Sequence, residues 1–271
     1  MGAILIATLV IGAVGIAVGI ALVYIGNKFH VEVDPRESAI REVLPGNNCG
    51  ACGYAGCDAV ASAIVSGEAT AAACPVGGAA VTAKINGIMG TDAAAGIREV
   101  AFVRCNGSCG HTSVKNNYIG IKDCRAVVLS GLYPQDCDFG CLGFGSCVSV
   151  CPEDAIHVVN GVAIVNEEKC VGCGLCAKAC PRKLIELIPY GKVTAVRCSN
   201  TDKGKDVKLV CEVGCIGCRL CTKQCESGAI SVDNNLAHID YAACTDCGKC
   251  AEKCPQVTIR SLAERSAVAK G

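Results

Sequence analysis

The sequence predicts an α+β chain made of one amino-terminal apolar helix, a small helical unit, and two tandem copies of a cysteine-rich unit of helices and short strands. Three observations predict it. Ile4 to Ile25 is a run of 22 residues without a charge. Four cysteines, Cys49, Cys52, Cys57 and Cys74, sit in glycine-rich sequence ahead of all the others. Beyond them, Cys124, Cys137, Cys141, Cys147, Cys151, Cys170, Cys173, Cys176 and Cys180 recur 74 residues later as Cys198, Cys211, Cys215, Cys221, Cys225, Cys244, Cys247, Cys250 and Cys254. Self-similarity at one offset is the mark of a duplicated unit.

The apolar run, as a helix, is about 33 Å long, enough for a bilayer core, so residues 1–26 are expected to form a single transmembrane helix. A cleaved leader fits less well, because the basic n-region is missing and the apolar run is too long. Gly15 and Gly19, with Gly12 near the same face, would let a second membrane helix approach closely; they also fit ordinary glycine usage in a span. Lys28, Arg36 and Arg41 follow the run and no charged side chain precedes it, which places the remaining chain on the cytoplasmic side, although Glu32, Asp34 and Glu37 dilute the asymmetry. Residues 27–43 read as a charged connector.

The unit expected at 44–78 carries Cys49, Cys52, Cys57 and Cys74 with Gly50, Gly53 and Gly56 between them. Glycines let backbone N–H groups turn toward ligand sulfurs. Asp58 to Val65 reads as a short helix ending near Gly67. The Ala- and Gly-rich stretch 79–104 reads as a helical linker without chemistry of its own.

The remaining cysteines form runs whose spacing identifies their chemistry. Cys170-Cys173-Cys176-Cys180, Cys215-Cys218-Cys221-Cys225 and Cys244-Cys247-Cys250-Cys254 all have the spacing Cys-x2-Cys-x2-Cys-x3-Cys, and Cys141-Phe144-Cys147-Cys151 breaks it only at Phe144. That is the ligand run of a [4Fe–4S] ferredoxin, in which three thiolates hold one cube and the fourth crosses to its neighbour. Isoleucine stands five residues after each run, at Ile156, Ile185, Ile230 and Ile259, where it can open a short strand beneath the cluster. Two ferredoxin-like (2[4Fe–4S]) units are therefore expected at 105–190 and 191–271. Zinc uses separated Cys-x2-Cys knuckles, and serial two-residue spacings suit disulfides poorly. A chain with 25 cysteines, no Trp and ten aromatic residues has little else from which to build cores, and bound clusters supply the folding energy instead.

Ferredoxin crossing assigns Cys215, Cys218, Cys221 and Cys254 to one cluster and Cys225, Cys244, Cys247 and Cys250 to its partner. In the first copy it assigns Cys151, Cys170, Cys173 and Cys176 to one cluster, leaving Cys141, Cys147 and Cys180 short of a ligand at Phe144. Cys137 is the expected replacement; a three-iron cluster is the alternative. Five cysteines then remain: Cys105, Cys109, Cys124, Cys198 and Cys211. They either contribute to a sixth cluster, through four of themselves or through a local Cys105-Cys109-Cys124-Cys137 site with Cys198 or Cys211 completing the deficient one, or are buried thiols packing as small hydrophobes. Five to six [4Fe–4S] clusters are expected.

The combination of a leading apolar helix, the segment Leu44-Pro45-Gly46 through Cys49-Gly50-Ala51-Cys52-Gly53-Tyr54 to Cys57, and repeats containing Gly140-Cys141-Leu142-Gly143-Phe144-Gly145-Ser146-Cys147 resembles the B subunit of the Rnf complex. The resemblance covers nearly the whole chain and points to the long, multi-cluster form. It implies a membrane-bound ferredoxin:NAD oxidoreductase (translocase) coupled to Na+ or H+ transport, in which this subunit takes electrons from soluble ferredoxin and passes them to other membrane and peripheral subunits. One departure is Glu226, where such runs carry proline. A polyferredoxin-like carrier for a membrane hydrogenase or reductase is the alternative; it accounts for the repeats and not for the Cys49–Cys74 unit.

Other chemistries are excluded. With 25 basic and 25 acidic residues, nucleic-acid binding has no electrostatic support. His30, His111, His157 and His238 are scattered, with no triad pattern, so no catalytic residue is expected. The glycines of Gly140–Gly145 have the wrong spacing for a dinucleotide loop, and Ser66-Gly67-Glu68-Ala69-Thr70 matches a covalent flavin site only loosely. Nicotinamide and flavin chemistry thus falls to partners. Lys169, Lys178, Arg182 and Lys183 lie in a stretch, 169–183, free of acidic residues, which reads either as a docking patch for an acidic ferredoxin or as a solvated face.

Overall fold

The computed structural model describes residues 2–28, 34–94, 96–192 and 194–261. Helix α1 runs Gly2–Lys28, 27 residues, about 40 Å at 1.5 Å per residue. The side chains at 9–25 are exposed along the helix, Leu9, Ile11 and Ile16 among them. Several side chains of the Ile4–Ile25 span, Ile4 and Leu5 included, lie outside the described residues, as do His30 and Glu32. Among the described residues no helix is long and apolar enough to cross a membrane.

A three-helix unit follows. Asp34 caps α2 (Pro35–Val43) by accepting the Arg36 N–H at 2.8 Å, and Pro35 occupies the first turn, where its missing N–H costs nothing. Helix α3 (Cys57–Val65) buries Val60, Ala61 and Ile64, and α4 (Gly78–Met89) ends on Gly90 in the left-handed conformation. Ile40 of α2 and Ile85 of α4 are fully buried in one core with Val60 and Ile64 of α3, and α2 packs against both other helices. Each isoleucine contributes about 1.5–3 kcal/mol on burial. Helix α2, in the stretch read as connector, and helix α4, in the first half of the stretch read as linker, thus share a core with the unit expected at 44–78.

Each cysteine-rich unit is two antiparallel strand pairs joined by short helices. In the first, β1 (Glu99–Val103) leads to α5 (Cys124–Ser130), the hairpin β2 (Ile156–Val159) and β3 (Val162–Val165), helix α6 (Leu175–Ala179) and β4 (Ile185–Pro189). In the second, β5 (Thr194–Val196) leads to α7 (Gly204–Val210), α8 (Leu220–Gln224), the hairpin β6 (Ile230–Asp233) and β7 (Leu236–Ile239), α9 (Lys249–Glu252) and β8 (Ile259–Ser261). β1 pairs with β4, placing Val103 opposite Ile185, and β5 pairs with β8, placing Val196 opposite Ile259. The first unit thus begins at Glu99, inside the stretch read as linker. Residues 262–271 of the second lie outside the described residues.

The four isoleucines at the fifth position after each run open β2, β4, β6 and β8, and all are buried. Both hairpins turn on two residues with positive φ, Asn160-Gly161 and Asn234-Asn235, the geometry that suits the right-handed twist of the flanking strands. Tyr241 packs against the cores of both units, and burial pushes its phenol well above the ordinary range.

Candidate metal centres

The loops that carry the runs are shaped by two left-handed residues each. These are Gly143 and Gly145, Gly172 and Gly174, Gly217 and Arg219, and Asp246 and Gly248. Two such residues, two apart, curl a chain around a cavity. At Gly172 nothing larger fits, since a Cβ there would stand 2.5 Å from the Glu99 carbonyl oxygen. In the last three runs, helices α6, α8 and α9 begin one residue after the second left-handed position and bury Cys176, Cys221 and Cys250.

Among the described residues, four cavities of similar size are each lined by four cysteines. Cys215, Cys218, Cys221 and Cys254 surround about 360 Å³, and Cys151, Cys170, Cys173 and Cys176 about 350 Å³. Both sets are those expected from crossing. The third, about 400 Å³, is lined by Cys141, Cys147, Cys180 and Cys124. The fourth, about 350 Å³, is lined by Cys105, Cys137, Cys198 and Cys211. Among the described residues no three His, Cys, Asp or Glu side chains converge as ligands of a single ion do. The thiols stand around spaces rather than points.

The third cavity is lined by Cys124 and not by Cys137, the expected replacement ligand. Phe144 does not line this cavity; half-buried, it packs edge-on to Tyr118, with ring centroids 5.3 Å apart, and against Cys124, Val127 and Leu142. Cys124, at the start of α5, occupies the wall instead. Asp123 caps α5 by accepting the N–H groups of Arg125 and Ala126, and Ser146 accepts the Cys124 N–H at 2.8 Å. Cys137, the residue expected there, belongs to the fourth cavity. A set Cys105-Cys109-Cys124-Cys137 is likewise not formed. Cys109 is exposed, against Gly161, and lines none of the four cavities.

Of the two remaining sets, the thiols of Cys52 and Cys57 lie near enough to Cys74 to add to the upward push of burial on it. Asn48 accepts the Cys57 N–H at 2.8 Å and pins the loop. Burial pushes Cys250 up to about 11, and Cys244 adds to the effect. Cys225 goes the other way, lowered chiefly by the Ser227 hydroxyl. Burial pushes Cys105, Cys147 and Cys176 up to about 12, and Cys198 and Cys221 to about 11. Such thiols stay protonated at neutral pH unless a strongly cationic centre replaces the proton. Thiolate sulfurs in these sets are also offered N–H donors: Ala101 to Cys170 at 3.3 Å, Ala155 to Cys151 at 3.3 Å and Leu184 to Cys180 at 3.5 Å. Four sulfurs around each space and N–H groups directed at sulfur fit the requirements of a [4Fe–4S] cube.

The sets follow one another in space. Cys49 lies close enough to Cys173 to influence it, and Asn47 Nδ2 reaches Glu153 Oε1 at 3.5 Å, so the three-helix unit abuts the Cys151 set. The Cys141 N–H donates to Cys105 Sγ at 3.4 Å, and the Cys215 N–H to Cys198 Sγ at 3.3 Å. The fourth cavity thereby sits between the two units. Of the basic stretch, Lys169, Lys178 and Lys183 are exposed, while the Arg182 guanidinium lies 4.2 Å from the Tyr133 ring centroid and lines the third cavity.

Family comparisons agree with this arrangement. Residues 44–76 match a family described as a putative Fe-S cluster, residues 163–186 a 4Fe-4S binding domain, and residues 214–259 a 4Fe-4S dicluster domain. The chain is 43% identical over 256 residues to the B subunit of the Na(+)-translocating ferredoxin:NAD(+) oxidoreductase complex of Acetobacterium woodii, covering 94% of this chain and 77% of that protein. It is 40% identical to the B subunit of the proton-translocating ferredoxin:NAD(+) oxidoreductase complex of Clostridium ljungdahlii, over 97% of this chain and 94% of that one. It is also 40% identical to the B subunit of the ion-translocating oxidoreductase complex of Methanosarcina acetivorans, over 92% and 95%.

Proposed function

Starting from the B-subunit family of ion-translocating oxidoreductase (Rnf) complexes, to which this chain belongs, we propose that it accepts electrons from reduced ferredoxin and relays them through [4Fe–4S] clusters to partner subunits, coupled to Na+ or H+ transport and NAD reduction. It is an electron-transfer subunit of an oxidoreductase complex. The observation that carries the relay is the spatial succession of cysteine sets, each adjoining the next. When bound, the clusters supply one-electron redox chemistry.

The chain's own residues do the rest. Cys49, Cys52, Cys57 and Cys74 hold the first cluster. Cys151, Cys170, Cys173 and Cys176 hold the next, and Cys124, Cys141, Cys147 and Cys180 the third. Cys215, Cys218, Cys221 and Cys254, then Cys225, Cys244, Cys247 and Cys250, hold two more in the second unit. Buried apolar neighbours such as Val103 and Ile185 around the Cys124 set exclude water, and backbone N–H groups on sulfur stabilise the more negative, reduced state.

Helix α1 serves as a single-pass anchor, its exposed Leu and Ile side chains facing lipid, with the cluster units on the cytoplasmic side. Lys169, Lys178 and Lys183 form the docking patch for an acidic ferredoxin. The polyferredoxin alternative leaves the matched segment 44–76 without a role. Co-purification tests the reading. Integral membrane partners, flavin and ferredoxin-dependent NAD reduction are expected; a hydrogenase or disulfide reductase in their place would refute it.

A further inference from the structure

We propose that Cys105, Cys137, Cys198 and Cys211 hold a sixth [4Fe–4S] cluster across the boundary between the two ferredoxin-like units. The proposal rests on the reading that the other sets hold clusters. None of the matched family segments contains any of these four residues.

The site has an internal symmetry. Val103-Arg104-Cys105 follows strand β1, and Val196-Arg197-Cys198 follows strand β5. Cys137 and Cys211 each stand four residues before a run's first cysteine, Cys141 and Cys215. Each unit therefore contributes one thiol from the end of its first strand and one from the entrance to its run. The two N–H to sulfur contacts repeat the relation: Cys141 to Cys105 in one unit, Cys215 to Cys198 in the other. Two like halves face each other, and neither alone supplies more than two ligands.

The surroundings suit a charged inorganic group better than packed thiols. All four cysteines are buried, yet the cavity is walled by polar side chains, among them Asn106, Gln135, Arg197 and Asn200, themselves buried. Asn200 directs its backbone N–H to Cys198 Sγ at 3.4 Å and its side-chain amide to Cys137 Sγ at 3.7 Å. Thiols that merely fill space as small hydrophobes need no such donors. Gly107 forms part of the cradle: a Cβ there would stand 3.5 Å from Cys211 Sγ and 3.8 Å from Cys105 Sγ. Arg197 and Arg104, the latter also paired with Glu186 at 3.7 Å, both line the cavity and bring positive charge to a buried place that four thiolates would share.

The test uses the whole chain in its membrane complex, purified without oxygen. Cys105→Ala and Cys198→Ala, in different units, are each expected to lose about four irons of about 24, and the double variant about four rather than eight. Cys109→Ala is expected to lose none. Unchanged iron in the single variants, or additive loss in the double, overturns the proposal. Native mass spectrometry of the unaltered chain is independent of how the variants fold: six clusters support the shared site and five overturn it, leaving the other sets intact. An iron-free chain instead defeats the underlying reading.

Discussion

The Ser146 hydroxyl ties Cys124 into the first ferredoxin-like unit: it accepts the Cys124 N–H at 2.8 Å and donates to Asp123 at 2.8 Å. One side chain thus couples a run that lacks a cysteine to the inserted helix that supplies one. Ser146→Ala leaves a buried N–H without its partner, a cost of about 1–3 kcal/mol. The variant is expected to convert the cluster of the Cys124 set readily to a three-iron form on mild oxidation, seen by EPR. Cys124→Ala should do so outright. If Cys137→Ala does it instead, the assignment of the fourth ligand is wrong.

The Asp123 carboxyl is held below its ordinary pKa, chiefly by the Ser146 hydroxyl and then by the helix N–H groups. A depressed carboxylate pKa gives stability that is present above the unfolded value of about 3.9 and is lost as pH falls through the folded one. The EPR spectrum of the Cys124-set cluster is therefore expected to be constant from pH 8 to pH 5. A transition within that window would show that some other group controls Cys124.

Ile40 and Ile85 bring α2 and α4 into one core with Val60 and Ile64 of the helix that carries Cys57. Ile40→Ala or Ile85→Ala should cost about 2–5 kcal/mol. In the intact complex, limited proteolysis is expected to open residues 35–93 as one block while the ferredoxin-like units resist. Cleavage confined to 79–93 would mean that α4 is a linker after all.

Lys178 and Lys183 are exposed, whereas Arg182 is engaged with Tyr133. Lys178→Glu/Lys183→Glu is expected to slow reduction by ferredoxin severalfold at low salt. The difference should fade toward 1 M salt, where screening acts within about 3 Å. A rate equal to that of the unaltered complex at low salt would remove the docking patch.

Gly172 takes a left-handed φ of 67° directly against the Glu99 carbonyl. Gly172→Ala combines that clash with about 1–2 kcal/mol of backbone strain. Loss of the Cys151-set cluster, with the second unit's clusters retained, is the expected outcome by Mössbauer counting.

Much of this architecture is legible in the sequence because local chemistry fixes it. Run spacing and the isoleucines that follow each run depend on neighbours a few residues away. What the sequence hides depends on distance. The constant offset of 74 pairs Cys124 with Cys198, but the structural counterpart of Cys198 is Cys105. The chain takes 36 residues from Cys105 to Cys141 and 17 from Cys198 to Cys215, and the longer path holds α5 with its extra cysteine. The repeated Val-Arg-Cys at 103–105 and 196–198 is the signal that could have found it. Helices α2 and α4 and strand β1, next to the bounds expected at 44, 78 and 105, are defined by packing and pairing partners remote in sequence, which local spacing does not reveal.

Iron and acid-labile sulfide per chain, measured on the anaerobically purified complex with EPR of its reduced form, test the central claim most directly. About 20 irons from the five sets, with four more from the shared site, matched by equal sulfide and signals of several interacting cubes, are predicted. A chain carrying zinc, or iron without sulfide, would contradict it.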